Sequence, residues 1–249
     1  MEADGSTVET QGPAHWGFWG TLLWGVLIVV VFTALQVLVL IMILALRKPG
    51  FSESDLTELL SAAEADGTVL AYTTFVTTVV CCALVAGIAK LKKHSILTDY
   101  LALRPVAFGT LLRWIGVTLG FAALWDAISI LVGRPVVPEF MLSAYATAKP
   151  VWILWVSIIV AAPLFEEAFF RGFLLKGFES SFLRPVGAVL VTATLWAAIH
   201  IQYELPEIAS IFVLGLLLGA ARLRTGSLAV PVAMHAASNL WATIEAAIL

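Results

Sequence analysis

Long apolar stretches recur along the whole chain, and they constrain its fold more than any other feature. The 249 residues are 61% hydrophobic and only 12% charged, and the mean hydropathy is +0.99. A soluble domain of this length carries roughly twice that charged fraction. Apolar stretches of about 20 residues are long enough to cross a bilayer as helices. The sequence therefore predicts an all-α, polytopic helical membrane protein.

The candidate transmembrane helices are seven apolar segments, at about 16–46, 68–89, 111–132, 151–178, 186–200, 208–223 and 228–248. The prediction is seven to eight transmembrane helices, because the first long run or the 136–150 connection could hide a short one. The sequence contains no internal repeat or soluble segment, so we expect a polar tail at 1–15 and a single membrane domain at 16–249. In the sixth segment, Gly215 and Gly219 are four residues apart, which favours close contact with another helix.

The Lys and Arg residues set the expected orientation, because cytoplasmic loops carry an excess of them. With the 90–113 loop inside, ten of the fourteen lie inside, and the other four lie outside: Arg47, Lys48, Arg134 and Lys149. We therefore expect the N-terminus inside and the C-terminus outside. The net charge of −3 is small, and no basic stretch alternates with aromatic residues, so a nucleic-acid partner is disfavoured.

Three charged residues interrupt the fourth apolar segment: Glu166, Glu167 and Arg171. An unpaired charge near the bilayer centre costs at least about 2.5–3.5 kcal/mol, so such residues usually face a bundle interior and serve a function. On a helix, Glu167 and Arg171 are i and i+4 in the favourable order, whereas Glu166 is rotated by about 100°. We expect Glu167 and Arg171 to form a structural pair, and Glu166 to remain free to take a proton from water. Pro163 disrupts the helix just upstream, which is tolerable only beside a cavity or a partner.

Two later apolar segments carry polar residues that could complete a hydrolytic site. His200 closes the fifth segment, with Trp196 one turn earlier on the same face. His235 and Asn239 are i and i+4 in the last segment, so they point the same way. Each could serve packing alone. Together, a carboxylate can activate water, a histidine can orient it or shuttle protons, and a His/Asn pair can donate to an oxyanion.

Other polar residues have simpler interpretations. Asp126 lies inside the third segment, where we expect a hydrogen bond between helices or an interior water. Glu245 lies near the chain end, where we expect it to reach the interface. A Glu and two His are plausible zinc ligands, so the side chains alone leave a zinc site open.

Helix depth limits how these residues can meet. At about 1.5 Å per residue, Glu166 lies roughly 15 Å from the Lys176 end of its helix. His200 lies about 21 Å from the start of the fifth helix, and His235 about 10 Å from the start of the last. The site therefore closes only if the helices tilt or start at different depths.

The polar motifs, in this order and spacing, resemble the CPBP (CAAX protease and bacteriocin-processing, Abi-like) family of intramembrane glutamic endopeptidases. They are Glu166-Glu167-x-x-x-Arg171, Trp196-x-x-x-His200 and His235-x-x-x-Asn239. The resemblance covers about residues 150–245, and Trp196 stands where the family often has Phe.

The resemblance implies an enzyme that hydrolyses peptide bonds of membrane-associated or lipidated substrates without a cofactor. It implies these roles: water activation by Glu166 with His200, a site-holding pair of Glu167 and Arg171, and oxyanion stabilisation by His235 with Asn239. We expect a multi-pass protein of a prokaryotic cell (inner) membrane, with the site in a water-filled cavity that opens toward the inner face.

Two functions of other classes stay open. A non-catalytic membrane adaptor or immunity protein could keep the motifs for structure, and a proton-coupled transporter could relay protons through them. The lack of repeated halves weakens the transporter hypothesis. Replacing Glu166 by Gln separates the first two, because a scaffold keeps its phenotype while a protease stays folded but inactive. Proton-coupled uptake in proteoliposomes would support the transporter.

Overall fold

The computed structural model describes residues 14–48, Leu60, Ala63 and 65–248. The predicted tail at 1–15 lies almost wholly outside the described residues. We name the helices in chain order: α1 Phe18–Arg47, α2 Gly67–Leu91, α3 Leu97–Tyr100, α4 Phe108–Leu131, α5 Glu139–Thr147, α6 Val151–Glu179, α7 Arg184–Ala198, α8 Leu205–Thr225 and α9 Ala229–Ile248. The part of the chain that the structure describes contains no strand.

Five of these helices, α1, α2, α4, α6 and α8, have the length and hydropathy of membrane spans. The apolar helix α7 is shorter, with 15 residues, and α9 is less apolar because it carries His235, Asn239 and Glu245. The prediction of an all-α polytopic membrane protein is confirmed. The number of spans, seven or eight, stays a prediction. The 136–150 connection does hold a helix, α5, but its nine residues extend only about 14 Å and cannot span a bilayer.

Helix α6 is the central helix of the bundle. Of its most apolar 18-residue stretch, 44% is buried, against 6% for α4. Two wider, π-helical segments interrupt it, Ser157–Ala161 and Ala168–Leu174. Pro163 follows the first of them and has no N–H to donate to the preceding turn. A side chain of α2 supplies a donor at this disruption: Thr78 Oγ1 donates to the backbone carbonyl oxygen of Ala161 at 3.1 Å.

The glycines of α8 allow this helix to pack closely against α7, as their spacing predicted. A Cβ atom on Gly215 would lie 3.0 Å from the Ala193 Cβ, and one on Gly219 would lie 2.8 Å from Val189 Cγ1. Larger residues at these positions would push the two helices apart. This contact fixes α7, and with it Trp196, relative to α8.

The two ends of the bundle differ in the groups that hold them together. At the end where α1 starts, which we call the tail end, Trp16 Nε1 donates to the Ile88 oxygen at 3.0 Å, and Lys92 lies over the Trp16 ring. At the far end, Arg134 links the loop after α4 to the start of α8 through ion pairs with Glu204 at 2.7 Å and Glu207 at 3.0 Å. Which end faces the cytoplasm stays a prediction.

Candidate active site

A cavity of about 300 Å³ lies between α2, α4, α5, α6, α7, α8 and α9. Four of the predicted site residues line it: Glu166, His200, His235 and Asn239. The other two, Glu167 and Arg171, lie behind its wall with fully buried side chains. The structure thus brings all six predicted residues to one region, in two layers.

The cavity reaches the far end of the bundle. Its lining includes Pro135, Pro138, Gln202 and Tyr203, which lie in the loops at that end. The expectation that the site opens toward the inner face is therefore incompatible with the expected orientation, because that orientation places the start of α1 inside and α1 starts at the opposite end. The physical reason is that the cavity lining runs from Glu166, within α6, past His200, beyond the end of α7, and along α9 to Glu245, an extent that the sequence does not reveal.

Glu167 is the centre of the buried layer. Its Oε1 accepts from Arg171 Nη1 at 2.9 Å, four residues later on the same helix. The same oxygen lies 2.9 Å from His235 Nδ1, and because an ionised carboxylate can only accept, that ring nitrogen donates. A charge taken out of water needs such partners, since an unpaired buried ion costs several kcal/mol.

Arg171 extends this layer toward α7 and α8. Its Nη2 donates to the Gly215 carbonyl oxygen at 3.2 Å, and its guanidinium lies 4.5 Å from the centre of the Trp196 ring. The guanidinium is therefore held by a carboxylate, a backbone carbonyl and an aromatic face. Such a cation–π contact is stronger where water is excluded.

Trp196 connects the two residues predicted to activate water. Its indole Nε1 donates to Glu166 Oε2, and its backbone carbonyl accepts from His200 Nδ1 at 2.7 Å. That carbonyl needs a partner because α7 ends at Ala198 and the last carbonyls of a helix have none within it. Since Nδ1 of His200 is the donor, Nε2 carries the free lone pair when the ring is neutral.

Asn239 lies on the cavity wall beside His235, as its spacing predicted, but part of its amide is engaged. Its Nδ2 donates to the Ile158 carbonyl oxygen at 2.8 Å, in the first π-helical segment of α6. An amide nitrogen has two hydrogens, so one remains for another acceptor.

The sequence did not assign a site role to several residues that the structure places on the cavity. The ring of Tyr203 stacks on His200 with centroids 6.2 Å apart, and nothing in the spacing indicated this loop residue. Asp126 accepts from Trp241 Nε1 at 2.9 Å, which is the hydrogen bond between helices that we expected. Glu245 was expected at the interface but lines the cavity instead, because α9 turns that face toward α4.

The cavity is acidic. Among the described residues that line it, none is a Lys or Arg, whereas four are carboxylates: Asp126, Glu166, Glu207 and Glu245. Burial, followed by the negative charge of Glu166, raises the pKa of the Tyr203 phenol, which therefore stays protonated at neutral pH. Within the described part of the chain, no three His, Cys, Asp or Glu residues are grouped closely enough to hold a metal ion.

Comparison with known proteins agrees with the resemblance. Residues 147–241 match the family described as type II CAAX prenyl endopeptidase Rce1-like, which confirms the family prediction over this segment. All six predicted site residues fall within it. The protein is thus a multi-pass α-helical membrane protein with an Rce1-like segment.

A protein of Escherichia coli, described as an uncharacterized 24.3 kDa protein, is 40% identical to this chain over 81 residues. The alignment covers 32% of this chain and 37% of that relative, so it spans little more than a third of the relative's length. No solved structure matches.

Proposed function

We propose that this protein is an intramembrane endopeptidase in which Glu166 activates water to hydrolyse peptide bonds of membrane-associated substrates. The observation that carries the proposal is the cavity wall, where the carboxylate of Glu166 in α6 lies with the imidazoles of His200, just after α7, and His235 in α9. The match to Rce1-like endopeptidases supports the same activity at the level of the family.

The proposed reaction gives one role to each group that lines the cavity, and Glu166 carries the proton. Glu166 takes a proton from water while the water oxygen attacks the peptide carbonyl carbon, and Nε2 of His200 orients that water. The oxyanion accepts from the second amide hydrogen of Asn239 and from Nε2 of His235, once both nitrogens of that ring are protonated. The proton on Glu166 then passes to the leaving amine as the C–N bond breaks. No step uses a metal ion, and activity that chelation abolishes and zinc restores would overturn this part.

The proposed substrates are peptides attached to the membrane, with a lipidated C-terminal peptide as the first candidate because the matched family is described as prenyl endopeptidases. The aromatic part of the cavity wall fits apolar peptides: Phe121, Trp125, Phe140 and Trp241.

We propose that residues 16–249 form a single membrane domain with a protease core at about 150–245, and that 1–15 is a tail.

We further propose a location in a prokaryotic inner membrane with the N-terminus inside, so that the cavity opens on the outer side. Reporter fusions at the two termini test this orientation, and a signal from the same side at both would overturn it.

The function is tested by comparing the membrane proteomes of cells that carry wild-type protein, Glu166→Gln or Glu179→Gln. The control residue lies at the end of the same helix, outside the cavity, where it pairs with Lys176 at 2.9 Å. We expect new peptide C-termini in wild-type and control cells that are missing with Glu166→Gln, while all three proteins accumulate equally. Identical cleavage in all three would overturn the proposal and favour the non-catalytic adaptor.

A further inference from the structure

We propose that Trp196 is a positioning residue that holds the Glu166 carboxylate in its working orientation, an inference that rests on the proposed function. The indole N–H of Trp196 donates to Glu166 Oε2. An indole nitrogen only donates and a carboxylate only accepts, so this bond has a single direction. It is also charge-assisted, which makes it stronger than a bond between two neutral groups.

The indole is a rigid donor because its own position is fixed on several sides. Trp196 is 2% exposed, and the Arg171 guanidinium covers one face of its ring at 4.5 Å. The ring of His235 meets it edge-on, with centroids 5.0 Å apart and planes at 74°. Gly215 leaves the space that the ring occupies, since a Cβ there would lie 3.1 Å from Trp196 Cε3. A carboxylate bound to such a donor loses little additional freedom when the reaction begins.

The same residue also positions the proposed partner of Glu166. The Trp196 carbonyl oxygen accepts a hydrogen bond from His200 Nδ1, with the two atoms 2.7 Å apart. The two rings are tilted by 81°, with centroids 5.3 Å apart. One residue of α7 thus holds both the base and the imidazole, and it sets their mutual geometry. Positioning of reacting groups can contribute orders of magnitude to rate, and a displacement of about 1 Å can remove much of that gain.

The bond itself is tested by NMR of protein labelled with ¹⁵N-tryptophan in detergent micelles. The chain has nine Trp residues, and the Trp196 indole signal is the one that Trp196→Phe removes. We expect Glu166→Gln to move this signal upfield, because a neutral amide is a weaker acceptor than a carboxylate. Trp241→Phe is the matched control, since Trp241 lines the same cavity and donates to Asp126 instead. It should leave the Trp196 signal in place. A Trp196 signal that does not respond to Glu166→Gln would overturn the inference.

The catalytic consequence is tested in proteoliposomes with a quenched-fluorescent farnesylated peptide that ends in Cys-aliphatic-aliphatic-X. Trp196→Phe keeps the packed ring and the backbone carbonyl but lacks the donor. We expect its kcat to fall about ten-fold with little change in KM, because the donor acts on the base rather than on substrate binding.

The outcomes separate this inference from the proposed function. Full cleavage by Glu166→Gln overturns the proposed function, whatever Trp196→Phe does. An inactive Glu166→Gln together with an unchanged kcat for Trp196→Phe overturns the positioning role alone. Where the wild type leaves this peptide intact, the NMR result decides, because the indole signal needs no substrate.

Discussion

Glu166 and Glu167 are neighbours in the sequence, yet the fold gives their carboxylates two different environments. Glu167 is 0% exposed and accepts from Arg171 and His235, both at 2.9 Å. Glu166 is partly exposed, lines the cavity and accepts from the neutral indole of Trp196. The separation follows from helix geometry, since consecutive residues on a helix point about 100° apart.

The difference shows how one helix within a membrane can carry two carboxylates, one paired with buried partners and the other facing a cavity. Complete burial of the Glu167 carboxylate requires a cation and a second donor in place of water. Glu166 has no cation bonded to it among the described residues, and it faces open space, so it remains able to exchange protons. Stability should therefore depend on Glu167 and its partners, and activity on Glu166.

The largest expected effect on stability comes from removing the buried cation. Arg171→Met leaves Glu167 buried without its counter-ion, and breaking such a pair costs about 3–5 kcal/mol. The free energy of unfolding, measured in detergent micelles by denaturant titration, should fall by that amount. The double variant Glu167→Gln/Arg171→Met should recover part of the loss, because no uncompensated charge remains.

Arg104→Met is the matched control for this experiment. Arg104 pairs with Asp99 at 3.1 Å, but the side chains are 63% and 57% exposed, so water already stabilises both charges. Exposed pairs contribute little, and no measurable change is expected. Similar losses from the buried and the exposed pair would show that burial is not what makes the Glu167 layer important.

The next comparison neutralises each glutamate while keeping its shape. Glu167→Gln leaves the buried Arg171 cation without its counter-ion, which costs about 3–5 kcal/mol, although the amide oxygen can still accept hydrogen bonds. Glu166→Gln keeps an oxygen that can accept from Trp196 and leaves no buried ion without a partner, so the free energy of unfolding should fall by less, at most about 0.5–1.5 kcal/mol. Thermal and denaturant unfolding in micelles measure both. Equal destabilisation by the two variants would contradict the division of roles.

The parts of this site that could be predicted from the sequence are those set within a single helix. The i, i+4 spacing placed Glu167 beside Arg171, and the rotation of about 100° turned Glu166 away from that pair. Apolar length placed the helices, and the Gly215/Gly219 spacing predicted a close helix contact for α8, although not that its partner is α7. All of these depend on local geometry, which spacing encodes directly.

The parts that could not be predicted depend on the relative depth and rotation of different helices. His235 and Asn239 share a face, but their polar partners are Glu167 and the Ile158 carbonyl, which lie on α6. Glu166 and His200 lie at different depths, and Trp196, one turn deeper than His200, contacts both. Its indole donates to Glu166, and its carbonyl accepts from His200. The π-helical segments of α6 also change the direction of its side chains. Pro163 predicted a disruption beside the first segment, but not its π-helical form, and nothing predicted the second.

A third carboxylate, Asp66, extends the comparison to a site outside the membrane spans. It caps α2, because its Oδ1 accepts from the backbone N–H groups of Thr68 at 2.8 Å and Val69 at 3.0 Å, while Arg47 binds its Oδ2. Asp66→Ala removes the cap and the charge and should cost about 1 kcal/mol. Asp66→Asn keeps a good cap and loses only the partly exposed ion pair, so its loss should be smaller.

The pH dependence of this smallest effect identifies its source. Burial alone would raise the pKa of Asp66, but hydrogen bonds from Arg47 and from the backbone N–H of Val69 outweigh it and hold the pKa below its usual value of 3.8. The charge of Asp66 therefore stabilises the fold fully above pH 3.8, and this contribution disappears as the pH falls through the lowered pKa of the folded state. Unfolding titrations from neutral to acidic pH should show wild type and Asp66→Asn converging in acid, while Asp66→Ala stays less stable than Asp66→Asn throughout. If wild type, Asp66→Asn and Asp66→Ala all reached the same free energy of unfolding in acid, the charge, and not the cap, would account for the whole effect.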